Sequence, residues 1–380
     1  MTKQYKNILH KTLARALSLA RPHASVTTME FTTWIFKHLP KHLLGAAWLD
    51  EAGNLHVDNR QNENNRTLFT AHVDTVHRAA GPNKIRKTAT KWYADGAALG
   101  ADDGVGCALL MHLIHAGIPA YYVFTQVEEC GGIGAKHIAD NHKDLLSQFD
   151  RAVAFDRKGT DSVISHQGYG RCCSDALAQG LADALNATND NLMYSPDDTG
   201  VYTDTAEFTD IIPECTNISC GYYFEHTDKE ELDMIHFEQL AAAVVLVDWD
   251  MCPTERDPKV TEYKDDGYVS YDSYIRKWNS MPTAWDYRDS YKDTSYLAGL
   301  NFTHQEEELY EALLDAEVGF KTPLVTLMAE SVYPEDCKLA KKFINKGKLT
   351  PEAVRDAIEM LGVADPDAIL ATLFDAAYAE

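Results

Sequence analysis

The sequence has no C-x-x-C pair, no internal repeat, no long unbroken apolar run and no surplus of basic residues. Each absence removes a class of protein. Without paired cysteines a structural zinc finger has no ligand set. The 8 cysteines, of which only Cys172 and Cys173 are adjacent, read as reduced and mostly buried thiols. Nothing approaches the ~18 consecutive apolar residues of a membrane helix, so no span is expected. No early basic, apolar and small-residue pattern marks a secretory leader, and the expected compartment is the cytoplasm. Only 35 Lys and Arg stand against 58 Asp and Glu, a formal net charge of -23. That balance argues against a phosphate-binding surface and against an anionic membrane face, so neither nucleic acid nor membrane is an expected partner. It favours cations, metals included. The lack of a repeat excludes a solenoid.

What remains is an ordinary globular composition, 45% hydrophobic over 380 residues, with material for a sizeable core. Apolar positions at helical spacing predict a helix over residues 3–20, and Thr27 or Thr28 is placed to cap a second, Met29 to His38. Ala46–Leu49 and Leu55–Val57 flank a turn and read as a hairpin. Short buried strands are expected at Leu68–Ala71, Ala120–Val127, Ala152–Phe155, Ser162–His166 and Cys215–Tyr223. Trp92–Leu99 reads as a short strand or a hairpin arm, and Ser195–Gly200 as a loop. Helices are expected at Val105–Ala116, Gly134–Asn141, Ser174 to about Leu185, and Phe237–Trp249. Strands alternating with helices predict an α/β sandwich with a mostly parallel sheet, and such sheets gather functional residues at strand C-terminal ends.

Acids and histidines recur at those ends. Leu99-Gly100-Ala101-Asp102-Asp103-Gly104 places two carboxylates in a glycine-rich turn before a helix. His72-Val73-Asp74, Glu128-Glu129, Asp156 and His226 each follow an apolar run. Side chains two apart on an extended chain point the same way, so His72 can bind a metal while Asp74 orients it. Gly100 and Gly104 let the backbone bend until Asp102 can serve two cations about 3.5–4 Å apart. Neighbouring residues at a strand end diverge, so Glu129 can face a metal while Glu128 faces water and substrate as general base. His72, Asp102, Glu129, Asp156 and His226 form a mixed nitrogen and oxygen set suited to Zn2+, with Mn2+ or Co2+ as alternatives. Asp103 has a second reading as a helix N-terminal acid.

In these motifs, and in Gly134-Ala135-Lys136-His137, the sequence resembles the co-catalytic zinc peptidases, the superfamily of the zinc aminopeptidases and peptidase T. The motifs follow that superfamily's order over roughly residues 40–250. The resemblance implies a three-layer α/β/α sandwich, two zinc ions and cleavage of a peptide or related amide bond. It assigns His72 and Asp156 to one metal, Glu129 and His226 to the other, and Asp102 to both. Glu128 is the implied general base, and Asp74 touches the His72 imidazole rather than a metal. Only residues 157–225 separate Asp156 from His226. That interval has no room for the inserted lid of peptidase T, so a catalytic domain without a lid is expected over 1–252. A linker or strap is expected over 253–300 and a helical extension over 301–380.

Three lesser expectations complete the reading. The loop Tyr202–Phe208 is a candidate for pocket lining, and Arg157 for binding a substrate carboxylate. His112, His115, His137, His142 and His166 read as surface or core histidines. The expected partners are a peptide or small amide substrate and, as an option, further copies of the chain. A deacylase of N-acyl amino acids would use the same site. A non-catalytic scaffold whose tail recruits partners is the competing class, and retention of Glu128 beside a full ligand set weighs against it.

Overall fold

The computed structural model describes residues 3–260 except Tyr169. Its centre is an eight-stranded sheet in the order Ser195–Asp197, Ser162–Ile164, Glu214–Ser219, Arg151–Arg157, Thr67–His72, Tyr121–Thr125, Leu55–Asp58, Ala47–Leu49. The four middle strands run parallel. The expected hairpin joins one side antiparallel. Parallel strands buried on both faces need apolar residues in succession, which Leu68-Phe69 and Tyr121-Tyr122-Val123-Phe124 supply.

Alternation then sorts these residues between two layers. Phe69, Tyr122, Phe124 and Val153 face the helices Lys3–Leu17, Ala101–Ala116, Asp175–Asn186 and Met234–Val244. Leu68, Tyr121, Val123 and Ala152 face the helices Ile133–Asn141 and Lys143–Leu146 and the helical turn Asp204–Phe208. The architecture is a three-layer α/β/α sandwich with a mostly parallel sheet, as expected. Phe69 shows what holds the first layer on. Its ring stacks on Tyr122 at 5.4 Å and on Phe155 at 6.0 Å, and meets Trp249 edge-on at 4.9 Å. Each such fully buried ring contributes about 1.5–3 kcal/mol. Among the described residues, no helix is long and apolar enough to cross a membrane.

A smaller antiparallel sheet packs beside the first, in the order Tyr222–Tyr223, Glu231–Asp233, Lys91–Ala94, Ile85–Lys87. It accounts for one departure from expectation. The strand predicted over Cys215–Tyr223 is two strands, Glu214–Ser219 in the central sheet and Tyr222–Tyr223 in the small one. Gly221 separates them with φ +98, which other residues adopt only at a cost.

Other differences are local. Ser25, not Thr27 or Thr28, caps the second helix, which spans Val26–Lys37. The two threonine hydroxyls donate instead to the carbonyls of Ala20 and Pro22, each at 2.6 Å. Ser195–Asp197 is a strand rather than a loop. Pro196 is tolerated there because the strand lies at the sheet edge. The last described helix starts earlier than expected, at Met234 behind an Asp233 cap, and stops at Val244. Residues 253–260 have no regular structure but are tied down. Arg256 donates to the carbonyls of Thr209 at 2.8 Å and Pro213 at 2.7 Å. The rest of the expected strap and the helices expected near Gln305–Val318, Thr350 and Asp365 lie outside the described residues.

Candidate metal centre

All seven residues singled out for the site come together at the C-terminal end of the central sheet. His72 ends the Thr67–His72 strand and is 1% exposed. Its Nε2 lies 3.0 Å from Asp102 Oδ1 and 3.6 Å from Asp156 Oδ1. Its Nδ1 faces the Asp74 carboxylate at 3.6 Å. His226 Nε2 lies 3.1 Å from the other Asp102 oxygen and 3.1 Å from Glu129 Oε2. In the trio His72, Asp102 and Asp156, and again in Asp102, Glu129 and His226, ligand atoms fall within 4.8 Å of one another.

Each side chain is placed by backbone physics. The Ala101–Ala116 helix is irregular at its start, where Asp102 and Asp103 have non-helical dihedrals. Regular helix resumes as the sequence suggests and ends at Gly117, φ +78. Asp103 plays the capping role of its second reading. It accepts from Gly106 N–H at 2.9 Å and from His72 N–H at 3.1 Å. A β-carbon on Gly106 would run into that carboxylate, so the glycine is needed for close approach. Asp74 also does more than touch His72. Its two oxygens accept from the N–H groups of Glu128 and Glu129 at 3.1 and 3.2 Å, fixing the turn that carries both. Asp156 is held by hydroxyls, Thr203 at 2.6 Å and Tyr222 at 3.1 Å.

His226 departs from the expected pattern. It does not follow a strand of the central sheet. It sits in the loop between Tyr222–Tyr223 and Glu231–Asp233 of the small sheet, with φ +63, and its side chain is 50% exposed.

Sequence reasoning missed Glu230. Its buried carboxylate accepts the N–H groups of Gly100, Ala101 and Asp102 at 2.9, 2.8 and 3.0 Å, cradling the turn that presents Asp102. Arg21, fully buried, reaches the same turn. It donates to the carbonyls of Val73 at 2.7 Å and Gly100 at 3.3 Å. Neither residue belongs to a local motif, so nothing near them in the sequence marks them out.

The electrostatics describe a site short of positive charge. Burial, with Asp102 nearby, pushes the Asp156 carboxyl up to about 6. Burial raises Glu129 to about 7 and lifts Glu128 well above the ordinary carboxylate range. Hydrogen bonds to Asp102 and Glu129 raise His226 to about 11. Burial opposes the charged form of Asp102 too, yet hydrogen bonds from His226 and His72 outweigh it and hold that carboxyl low. Two imidazoles therefore face four carboxylates: Asp102, Glu128, Glu129 and Asp156. Glu129 Oε1 is buried with no hydrogen-bond partner among the described residues. Crowded, partly unpaired buried carboxylates are costly unless a cation joins them. The nitrogen and oxygen donors fit zinc.

Beside this cluster opens a cleft of about 700 Å³, lined by Asp102, Glu128, Glu129 and His226 together with Ile133, Ile164, Val201 and Tyr202. Arg157 also lines it, with its guanidinium 3.4 Å from Asp197 and 3.0 Å from Thr199. Of the expected loop, Tyr202 reaches the cleft, Thr203 bonds Asp156, and Asp204 is buried beneath. His112 and His115 are structural as expected, bonded to the carbonyls of Ala241 and His38. His137 and His142 are not isolated: they gather with Asp50.

A buried cluster of histidines and carboxylates at the strand ends of a three-layer sandwich, opening on a cleft, has the donors and the access that a metallohydrolase needs. The chain belongs to peptidase family M28, whose family model matches residues 54–247. That stretch contains every residue of the centre, and the match agrees with the superfamily that the motifs resemble. Several solved structures are similar in fold. The aminopeptidase PepT from Bacillus cereus is 14% identical, with 64% of this chain and 97% of that one covered and a TM-score of 0.49. A tripeptidase from Staphylococcus aureus is 17% identical, with 63% and 96% covered and a TM-score of 0.49. The TET1 peptidase of Pyrococcus horikoshii is 15% identical, with 63% and 98% covered and a TM-score of 0.47. None of the curated proteins matches the chain.

Proposed function

We propose that this chain is a di-zinc aminopeptidase or small-peptide hydrolase of the M28 family. His72 and Asp156 would hold one ion, Glu129 and His226 the other, with Asp102 offering an oxygen to each. The observation that carries the reading is the position of Asp102. Its two oxygens face two different imidazoles, Oδ1 toward His72 at 3.0 Å and Oδ2 toward His226 at 3.1 Å. Zinc bound there would acidify water toward neutral pH and polarise the scissile carbonyl.

The chain's own groups divide the remaining work. Glu128 lines the cleft, and its Oε2 lies 3.9 Å from His72 Nε2. It is left out of both ligand trios, so its carboxylate is available to take a proton from the attacking water and return it to the leaving amine. Asp74 sets the spacing of Glu128 and Glu129 by holding both N–H groups. Ile133, Ile164, Val201 and Tyr202 offer apolar contact to a substrate side chain. The reading also places the protein in a reducing compartment, the cytoplasm. The seven described cysteines are all free, five of them buried.

The test pairs an assay with a metal count. Aminoacyl anilides and short peptides are expected to be cleaved, and N-acyl amino acids spared. Glu128→Gln is expected to keep its zinc and lose activity by about 10²- to 10⁴-fold, the usual contribution of a general base. Full activity in Glu128→Gln, or a metal-loaded wild type inert on every peptide, would overturn the reading. Cleavage of N-acyl amino acids alone would reassign the site to a deacylase.

A further inference from the structure

We propose that Asp50, Glu51, His137 and His142 form a second cation site, separate from the catalytic centre, that takes a divalent ion of zinc's class. The four come from two elements. Asp50 and Glu51 form the turn after the Ala47–Leu49 strand. His137 lies on the Ile133–Asn141 helix, and His142 is its C-terminal cap.

The geometry suits an ion. Ligand atoms of Asp50, His137 and His142 fall within 4.8 Å of one another. Glu51 Oε2 lies 3.6 Å from His137 Nε2 and 3.9 Å from His142 Nε2. Zinc bonds of about 2.0–2.1 Å in a tetrahedron put ligand atoms about 3.3 Å apart. The observed spacings are a little wider than that and beyond hydrogen-bond range. Both Nε2 atoms are buried, and neither has a hydrogen-bond partner among the described residues. Such orphaned nitrogens are rare in folded proteins unless something else satisfies them. The Asn141 side chain meets His137 Nδ1 at 3.2 Å, so Nε2 is the nitrogen turned toward the carboxylates.

Asp50 is built in as ligating carboxylates usually are. Its Oδ1 accepts the N–H groups of Ala52 and Asn54, each at 2.9 Å. Its Oδ2 accepts from the Asn54 amide at 2.6 Å and faces His56 Nε2 at 3.2 Å. The Tyr121 hydroxyl meets the other nitrogen of His56 at 3.2 Å, an arrangement in which His56 Nε2 carries the proton and donates it to Asp50. Supporting bonds of this kind orient a ligand and fix its charge. Trp48 closes the site, stacked on His56 at 4.2 Å and edge-on to His142 at 5.5 Å.

Two imidazoles and two carboxylates make a borderline donor set that selects Zn2+ over Mg2+ or Ca2+. An ion here would pin the hairpin to the helix that follows Glu128 and Glu129. Asn54 already ties those parts together, donating to the Gly134 carbonyl at 3.0 Å and accepting from Gln126 N–H at 2.9 Å. The role is structural, and activity is not its measure.

Zinc bound per chain is measured on the full protein at buffered micromolar free Zn2+, alongside the melting temperature. The His137→Ala/His142→Ala double variant is expected to bind one ion fewer than wild type and to lose the zinc-dependent rise in melting temperature. The difference of one ion is expected to persist in an Asp102→Asn background, so the result does not depend on the catalytic centre. Equal zinc in wild type and double variant, or a difference seen only at millimolar zinc, overturns the proposal. Should the double variant not fold, Glu51→Gln decides, since that side chain is 60% exposed. Zinc affinity at this site weakened about tenfold or more supports the site, and unchanged affinity overturns it.

Discussion

The two halves of the candidate metal centre carry the same kinds of donor and are built differently. His72 grows out of the middle of the sheet, between the Tyr121–Thr125 and Arg151–Arg157 strands. Its ring is enclosed by Asp74, Asp102 and Asp156 and its backbone by Asp103. His226 hangs from a loop of the small sheet, half exposed, and its ring meets Asp102 and Glu129. One half is buried, with carboxylates on every side of its imidazole. The other is open to solvent and lines the cleft. Preorganisation by a rigid, desolvated frame strengthens every charge interaction within it, and a solvated loop forfeits that gain.

The largest test of this contrast removes each imidazole in turn. His72→Ala takes the cation from a buried carboxylate cluster and is expected to cost the metal-free protein about 3–5 kcal/mol. His226→Ala removes an ion pair that is half in water and is expected to cost about 1 kcal/mol or less. Urea unfolding of both variants without metal reads the difference. Equal losses would show that the two halves are equally preorganised.

Much of this site could be read in the sequence because the positions that carry it obey local rules. His72 ends an apolar run, Asp102 and Asp103 sit in a glycine-flanked turn before a helix, and Glu128-Glu129 follows a β-rich stretch. What escaped was set by tertiary contact. Glu230 lies 128 residues from Asp102 along the chain, and nothing in Lys229-Glu230-Glu231 says which acid turns inward. The β-prone stretch Cys215–Tyr223 reads as one strand, and a lone Gly221 within it does not announce the break that moves His226 onto a second sheet. Pro196 concealed an edge strand. His137 and His142 looked like ordinary surface histidines because Asp50 reaches them from a hairpin more than 80 residues away in the chain.

Glu230 offers a smaller effect that acts on both halves at once. Its carboxylate organises three N–H groups at the turn before Asp102, and Asp102 is common to the two trios. Glu230→Gln keeps the shape but offers one carbonyl oxygen in place of two acceptors. Supporting residues of this kind typically carry 10- to 100-fold in metal affinity or activity. The expected result is a loss in that range for both ions together, read by competition with a chromophoric chelator. Selective loss of one ion would show that Asp102 is not shared.

The smallest expected effect is one of acidity, and it falls on the side that holds His226. His236 underlies the small sheet, with its Nε2 2.9 Å from the Tyr194 hydroxyl, which itself donates to the Ser219 carbonyl at 2.6 Å. Burial lowers its pKa from the ordinary 6.5 to about 4. The folded value lies below the unfolded one, so the unfolded chain binds the extra proton as pH falls. The contribution to stability is therefore complete above about pH 6.5, declines through the window down to about pH 4 and falls no further below it. Its slope within that window approaches about 1.4 kcal/mol per pH unit. His236→Gln cannot take up the proton, and its unfolding free energy between pH 6.5 and 4 is expected to depend less steeply on pH than that of wild type by about that slope. Parallel curves for the two proteins would mean that His236 is not a buried group kept neutral by the fold.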